Sequence, residues 1–472
     1  MNRLAAVTPQ GGAYLFDIVR RRALALAACV TLAALWFIQF TYVRRFYVDV
    51  PYRDEWDALV TLSPQFTSSA AAWIFMKHGD HMIALTKIFY LAPLSTVGLN
   101  FRTLAQVNFV IFGALVVLVI FVLCRLVRTV PFYVIAAFTA FTLSARAWEN
   151  HGSTFQNQLH FNLFFFFLAC YLLFAQRTLW RNALAGVCCI LSSVSFGTGL
   201  PMVLVLGLVH LVSIVVLDPA EGGGKRVSRL AMAAITTSWM IAVVAISAAF
   251  WSATPGQRLT FPNDLRFWQY LFTMVSSGFG IDVDSVASRP ALAASGVPGL
   301  ICLVVILAPC GYSLYRAFRA GELRSFPFGL LAMTAGLLAA VAVISIGRSG
   351  WWQDGSDGKA SRYTEITMFL LPICAAWYWA ILPASRIRLF VLAALFAVVF
   401  VLFADDWRYK HFHAGFLEPR KAGVACIARY YLGGERALCS SVYDSGSITL
   451  EPYLDFFKDM NFTFVRTALR RG

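Results

Sequence analysis

The sequence is poor in charge. Only 13% of its 472 residues are Asp, Glu, Lys or Arg, where a soluble domain carries about a quarter. Hydrophobic residues make up 59% and the mean hydropathy is +0.69. A soluble fold of this composition would leave apolar surface facing water, so a bilayer is the solvent that suits it. Nucleotide signatures are also missing. There is no G-x-x-x-x-G-K-S/T loop and no strand followed by G-x-G-x-x-G, which argues against an ATP-driven pump or a nucleotide-sugar enzyme. No two cysteines have the C-x-x-C spacing of a zinc or redox site. Neither an internal repeat at a fixed period nor a low-complexity run is visible.

The formal net charge is +15, yet the basic residues form no single stripe or tail of the kind that binds nucleic acid. They fall in short clusters between apolar segments, which is a topology signal. Eight cysteines (Cys29, Cys124, Cys170, Cys188, Cys189, Cys302, Cys310 and Cys374) lie in or at the ends of apolar runs and read as small core hydrophobes. Cys426 and Cys439 sit in a polar tail, where a location outside the cytoplasm would allow a disulfide.

A membrane-spanning helix needs about 20 mostly apolar residues. On that rule the sequence predicts an all-α polytopic membrane protein with about eleven spans, near 23–40, 105–124, 131–145, 159–175, 183–196, 199–217, 229–251, 296–315, 326–346, 364–382 and 388–404. The first is kept as a span because Thr41-Tyr42-Val43-Arg44 offers no small-residue cleavage site for a signal peptide. The clusters Arg20-Arg21-Arg22, Arg125/Arg128, Arg177/Arg181, Lys225-Arg226/Arg229, Arg316/Arg319/Arg324 and Arg386/Arg388 all fall on one side of such an arrangement. By the positive-inside rule the N-terminus is then cytoplasmic and the tail after Phe403 extracytoplasmic. This divides the chain into a membrane domain, residues 1–404 with a first outer loop at 41–104, and a small outer tail, residues 405–472. The apolar stretch from Met82 to Leu99 is interrupted by Lys87 and Pro93, and a full span there would break the basic alternation; it reads as an interfacial or re-entrant helix. Ser195-Phe196-Gly197-Thr198-Gly199, with Pro201, splits another long apolar run into two helices.

Unusual residues concentrate in the outer loops. The first carries Tyr52-Arg53-Asp54-Glu55-Trp56-Asp57 and then Lys77-His78-Gly79-Asp80-His81; the second carries Trp148-Glu149-Asn150-His151 and continues to Phe155-Gln156-Asn157-Gln158. Later come Asp282 and Asp284, and then Arg348-Ser349-Gly350-Trp351-Trp352-Gln353-Asp354 leading to Lys359, Arg362 and Tyr363. An acidic run after a helix is ordinarily a solvated loop, an amide-rich run a helix cap, and interfacial Trp or Arg a membrane anchor. Three carboxylates beside an Arg and a Trp at the membrane edge point instead to function, because ionised groups are costly there. His78, Asp80 and His81 have the donor types for a divalent cation, though their spacing matches no strong metal signature. Guanidinium groups at Arg348 and Arg362 suit a phosphate oxyanion through bidentate hydrogen bonds.

This layout resembles the GT-C superfamily of polytopic membrane glycosyltransferases. The resemblance rests on a cytoplasmic N-terminus, the acidic motif Asp54-Glu55-Trp56-Asp57 soon after the first span, the polar motif His78 to His81, many short spans and a late basic outer loop. It covers the whole chain as architecture and a few short motifs as sequence; a large soluble domain, such as the protein mannosyltransferases and oligosaccharyltransferases carry, is absent from the sequence. Such enzymes take a sugar from a polyprenyl-phosphate carrier on the extracytoplasmic face. The resemblance implies Asp54 as catalytic base with Glu55 as second choice, Asp80 and His81 orienting the acceptor or tuning the base, and Arg348, Lys359 and Arg362 holding the donor phosphate. Trp56, Asp57, His78, Glu149, Asn150, His151, Gln156, Gln158, Trp351 and Tyr363 are then candidate substrate contacts. No cofactor is required, although a divalent cation would be compatible; the acceptor would be a cell-envelope glycan such as lipopolysaccharide, a glycolipid or a protein. The Ala- and Arg-rich composition fits a bacterial inner membrane. A flippase for a lipid-linked saccharide is the main rival, and would favour charges inside the spans and broken helices in both halves. An O-antigen polymerase or ligase would place its key residues in large later loops, and a receptor would show no clustering of catalytic residue types.

Overall fold

The computed structural model describes residues 10–51, 54–79, 81–217, 223–250, 258–281, 291–351, 361–404, 406, 417–432, 439 and 451–470. Among these residues the secondary structure is helical, with no β-strand beyond two isolated bridges. In a bilayer this is the expected solution, since a helix satisfies its backbone polar groups internally.

In chain order the helices of the membrane domain are α1 (Gln10–Phe46), α2 (Asp54–Val60), α3 (Ala70–Phe75), α4 (Ala84–Leu94), α5 (Phe101–Leu126), α6 (Phe132–Thr139), α7 (Trp148–Gly152), α8 (Asn157–Phe174) and α9 (Leu179–Ser193). They continue with α10 (Gly199–Leu217), α11 (Gly223–Phe250), α12 (Leu265–Gly278), α13 (Ala291–Arg319), α14 (Phe328–Arg348), α15 (Ser361–Met368), α16 (Leu370–Ile381) and α17 (Arg386–Leu402). The tail adds α18 (Glu418–Tyr431), α19 (Glu451–Lys458) and α20 (Thr463–Arg470).

Eight helical segments among the described residues are long and apolar enough to cross a membrane. The other three expected spans are also helical but shorter. The 131–145 segment is α6 followed by 3-10 turns, the 183–196 segment is the 15-residue α9, and the 388–404 segment is the 17-residue α17. The Met82–Leu99 stretch forms only the 11-residue α4, which at 1.5 Å per residue is about half a bilayer core in length. The expected break after α9 is present: the chain leaves the helix at Val194 and re-enters at Gly199.

Helix α8 packs between α5 and α9, α10 against α14 and α11, and α12 against α13, α14 and α15. Only 6% of the apolar stretch of α1 is buried within the protein, against 78% of the stretch from Arg362 to Ile381. Helices α15 and α16 therefore form the centre and α1 a lipid-facing flank.

The two ends of the bundle differ. At one end Arg20, Arg21, Arg128, Arg386 and Arg388 border a single cleft, and Arg128 with Arg316 borders its neighbour. At the other end backbone hydrogen bonds tie distant segments together: Ala84 N to Val194 O (2.9 Å), Ala145 N to Asp406 O (2.7 Å), Thr260 N to Ile346 O (3.0 Å) and Leu99 N to Asn461 O (2.8 Å). The outer loops of the sequence thus share one face with the tail. In the tail, Cys426 and Cys439 are joined by a disulfide.

Candidate functional site

Helix α2 begins at Asp54, with Asp54, Glu55 and Asp57 in its first turn, where carboxylates complement the helix dipole. Helical geometry separates Asp54 from Glu55 by about 100°, and their surroundings diverge accordingly. The Glu55 side chain is fully buried. Its Oε1 accepts hydrogen bonds from the backbone N–H of Thr154 (2.9 Å) and Phe155 (3.1 Å) and from the hydroxyls of Ser153 (3.0 Å) and Thr154 (2.5 Å). The Tyr47 hydroxyl donates to the same carboxylate at 3.2 Å. Arg420 of α18 approaches Oε2 at 3.8 Å and lies 3.6 Å above the Tyr47 ring. Glu55 is therefore a bolt joining the second outer loop and the tail to α2. Trp56 is likewise buried, with ring centroids 5.8 Å from Phe457 and 5.7 Å from Phe464 of the tail.

Asp54 faces the other way. Its side chain is 38% exposed and its Oδ2 lies 3.5 Å from Nη1 of Arg362 at the start of α15; the same guanidinium nitrogen is 3.9 Å from Glu149 Oε1. One arginine so bridges carboxylates from both outer loops. Asp57, one turn along α2, is half-buried; burial, aided by the charge of Asp54, pushes its pKa up to about 6.

Behind Arg362 runs a buried polar chain. Asn150 Nδ2 donates to Arg362 O (2.9 Å) and to Glu365 Oε2 (2.8 Å); His160 lies 3.3 Å from that same oxygen and 2.7 Å from Asn108 Oδ1. Asn108 Nδ2 in turn donates to the carbonyls of Asn150 (2.9 Å) and Ser153 (2.8 Å). His151 is wholly buried between the Phe109 and Phe112 rings, and burial lowers its pKa to about 3, so the ring is neutral. Asn150 and His151 thus belong to the scaffold under the site. Gln156 is almost completely buried as well.

The second motif of the first loop forms a tight turn in which His78 N donates to His81 O (2.8 Å) and Gly79 takes a left-handed φ of 59°, a conformation glycine adopts without strain. The turn aims its two imidazoles differently. His78 packs at a tilt against Phe155 (4.8 Å, 58° between the rings), while His81 meets Phe196 edge-on (4.9 Å) with Nε2 3.4 Å from Gln158 Oε1. His81 lines a cleft of about 310 Å³ together with Arg348 and Tyr363. The remaining wall is mainly apolar, contributed by α10, α11, α14 and the helix break at Phe196-Gly197-Thr198. Tyr363 follows Arg362 directly, so the start of α15 joins this cleft to the Asp54/Glu149 cluster.

Asp80, Lys359, Asp282 and Asp284 lie outside the described residues, as does the side chain of Trp351. Among the described residues no group of three or more His, Cys, Asp or Glu side chains is arranged to hold a metal ion. Sequence reasoning missed Arg420, Tyr47, His160 and Glu365. His160 and Glu365 could have been noticed, since each is an ionisable residue inside an apolar segment; no local signal distinguishes Arg420.

No family model, no curated protein and no solved structure matches the chain. The site is therefore read from its own chemistry.

Proposed function

We propose that this protein is a membrane glycosyltransferase of GT-C type, with eleven spans, that transfers a sugar from a polyprenyl-phosphate donor to a glycan, glycolipid or protein acceptor. In this reading it sits in a bacterial inner membrane with its N-terminus cytoplasmic and the site and tail outside. One observation carries the proposal. An apolar cleft with a cation and an imidazole at its polar end adjoins a partly exposed carboxylate held beside a second cation. A polyprenyl phosphate is itself apolar along its chain and anionic at one end, and transfer needs a base within reach of that end.

The acceptor hydroxyl oxygen attacks the anomeric carbon, the bond from that carbon to the phosphate oxygen breaks, and the hydroxyl proton passes to Asp54. The departing polyprenyl phosphate carries the electron pair and is stabilised by Arg348 and Arg362, with Lys359 as a third cation. Arg362 orients the Asp54 carboxylate until the acceptor arrives. His81 and Asp80 orient the acceptor, and Asp57, Glu149 and Gln158 complete the polar wall. Direct displacement inverts the anomeric centre.

Transfer of labelled sugar from a panel of polyprenyl-phosphate sugars, in membranes containing wild type or Asp54→Asn, tests the proposal. Donor-dependent transfer that disappears in Asp54→Asn, at unchanged expression, supports it. Near wild-type transfer by the variant removes Asp54 as base. A transporter of lipid-linked saccharide is the second reading, favoured by the helix break that lines the cleft. It would show translocation of such a lipid with no transfer by the wild type on any donor.

A further inference from the structure

The opposite end of the bundle holds a second, larger cleft, of about 860 Å³, which the proposed chemistry does not use. Five guanidinium groups border it, from three separate parts of the chain: Arg20 and Arg21 of α1, Arg128 of the α5–α6 turn, and Arg386 and Arg388 of α17. Among the described residues no carboxylate lines it. Arg388 is held in place, donating to Pro383 O at 3.2 Å and lying 4.6 Å over the Trp379 ring. Arg20, Arg128 and Arg386 are exposed and make no hydrogen bond or ion pair among the described residues. Like charges gathered from three segments repel one another unless an anion sits between them. Topology alone explains basic residues on this side of the membrane, but it does not require them around one cavity.

The rim is not that of a free-anion site. Leu24 of α1 and Leu389 of α17, at 39% and 53% exposure, belong to the wall, and these two helices present apolar surface that faces lipid in a bilayer. An occupant must therefore be anionic at one end and aliphatic at the other. We infer that this cleft binds the phosphodiester headgroup of an anionic phospholipid, with its acyl chains lying along α1 and α17. Guanidinium forks suit a phosphodiester bidentately, and basic pockets between membrane helices recognise such headgroups. The cleft is separate from the Asp54 site: α5 runs 26 residues from the one end to the other, about 39 Å at 1.5 Å per residue. The inference does not depend on the glycosyltransferase reading.

Native mass spectrometry of the full-length protein in detergent, with added dioleoyl phosphatidylglycerol or dioleoyl phosphatidylcholine, tests it. Wild type should retain the anionic lipid at least tenfold better than the zwitterionic one. Each basic residue near an anionic lipid contributes about fivefold, so Arg20→Gln/Arg128→Gln/Arg386→Gln should lose at least tenfold of that preference. Arg319→Gln/Arg324→Gln, on the same face but away from the cleft, should keep it. Equal retention of the two lipids by wild type overturns the inference without any variant. So does equal loss in the Arg319/Arg324 control, which would mean a diffuse charge effect, or displacement of the lipid by millimolar inorganic phosphate, which would mean a free-phosphate site.

Discussion

Replacing Glu55 by Gln keeps the side-chain volume and removes one charge, as does replacing its neighbour Asp54 by Asn, yet the two changes should have opposite consequences. The Glu55 carboxylate is fully buried and accepts from Thr154, Phe155, Ser153 and Tyr47 while facing Arg420, itself 2% exposed. In Glu55→Gln the amide oxygen still serves the loop donors, but the amide NH2 then confronts the Tyr47 hydroxyl and a buried guanidinium. Breaking a buried pair from one side costs about 3–5 kcal/mol; with the loop donors still satisfied, about 3 kcal/mol applies, a factor of about a hundred in the opening equilibrium of the tail. Asp54, 38% exposed and 3.5 Å from Arg362, is an exposed pair worth at most about 1 kcal/mol, or about fivefold. Trypsin reads this difference, because Lys421 and Arg429 are exposed on α18 but cleavable only when that helix opens, and slow cleavage tracks the open population. The expectation is tail cleavage about a hundredfold faster in Glu55→Gln, matched by Arg420→Met, and within about fivefold of wild type in Asp54→Asn. If Glu55→Gln is as resistant as Asp54→Asn, Glu55 is not the bolt, and its claim to be the base revives.

Three further outcomes are expected. Asp57 holds its proton up to about pH 6, against an ordinary 3.8, because of burial and then Asp54; its contribution to stability is complete below pH 3.8 and is lost as pH rises through 6. A stability scan across that window should therefore be flatter for Asp57→Asn than for wild type. At Gly199 a Cβ would press against Ser192 O and lie 2.7 Å from Asn162 Nδ2. Gly199→Ala should lower stability by about 1–3 kcal/mol, read as a lower melting temperature, since the backbone carbonyl cannot yield cheaply. Alkylation of the denatured, unreduced protein should leave two of the ten cysteines unlabelled, Cys426 and Cys439, and reduction should expose both.

The sequence by itself determined the solvent, the helical class and the side of the bundle on which the polar motifs gather. Apolar runs, few charges and alternating basic clusters are local properties, and the bilayer imposes helix on each run separately. The short α4 was legible from Lys87 and Pro93, and the break before α10 from Gly197 and Gly199. Span length was less so. The 131–145 segment forms an α-helix of only 8 residues followed by 3-10 turns, while the 183–196 segment is a 15-residue helix that begins and ends earlier than the hydropathy placed it.

What the tertiary structure decided is which member of each motif is left open to solvent or a cleft and which packs into protein. Asp54 and Glu55 are indistinguishable as a dipeptide. One helical step turns the first toward Arg362 and the second toward Thr154 and Arg420, residues about 100 and 365 positions away in sequence. His78 and His81 are separated in the same way by a single glycine-borne turn. Arg420 could not have been found from the sequence, since its role exists only where the disulfide-closed tail meets the first outer loop. Chemistry-bearing residues were visible in the chain, but their division between scaffold and site depends on contacts between segments that no local pattern encodes.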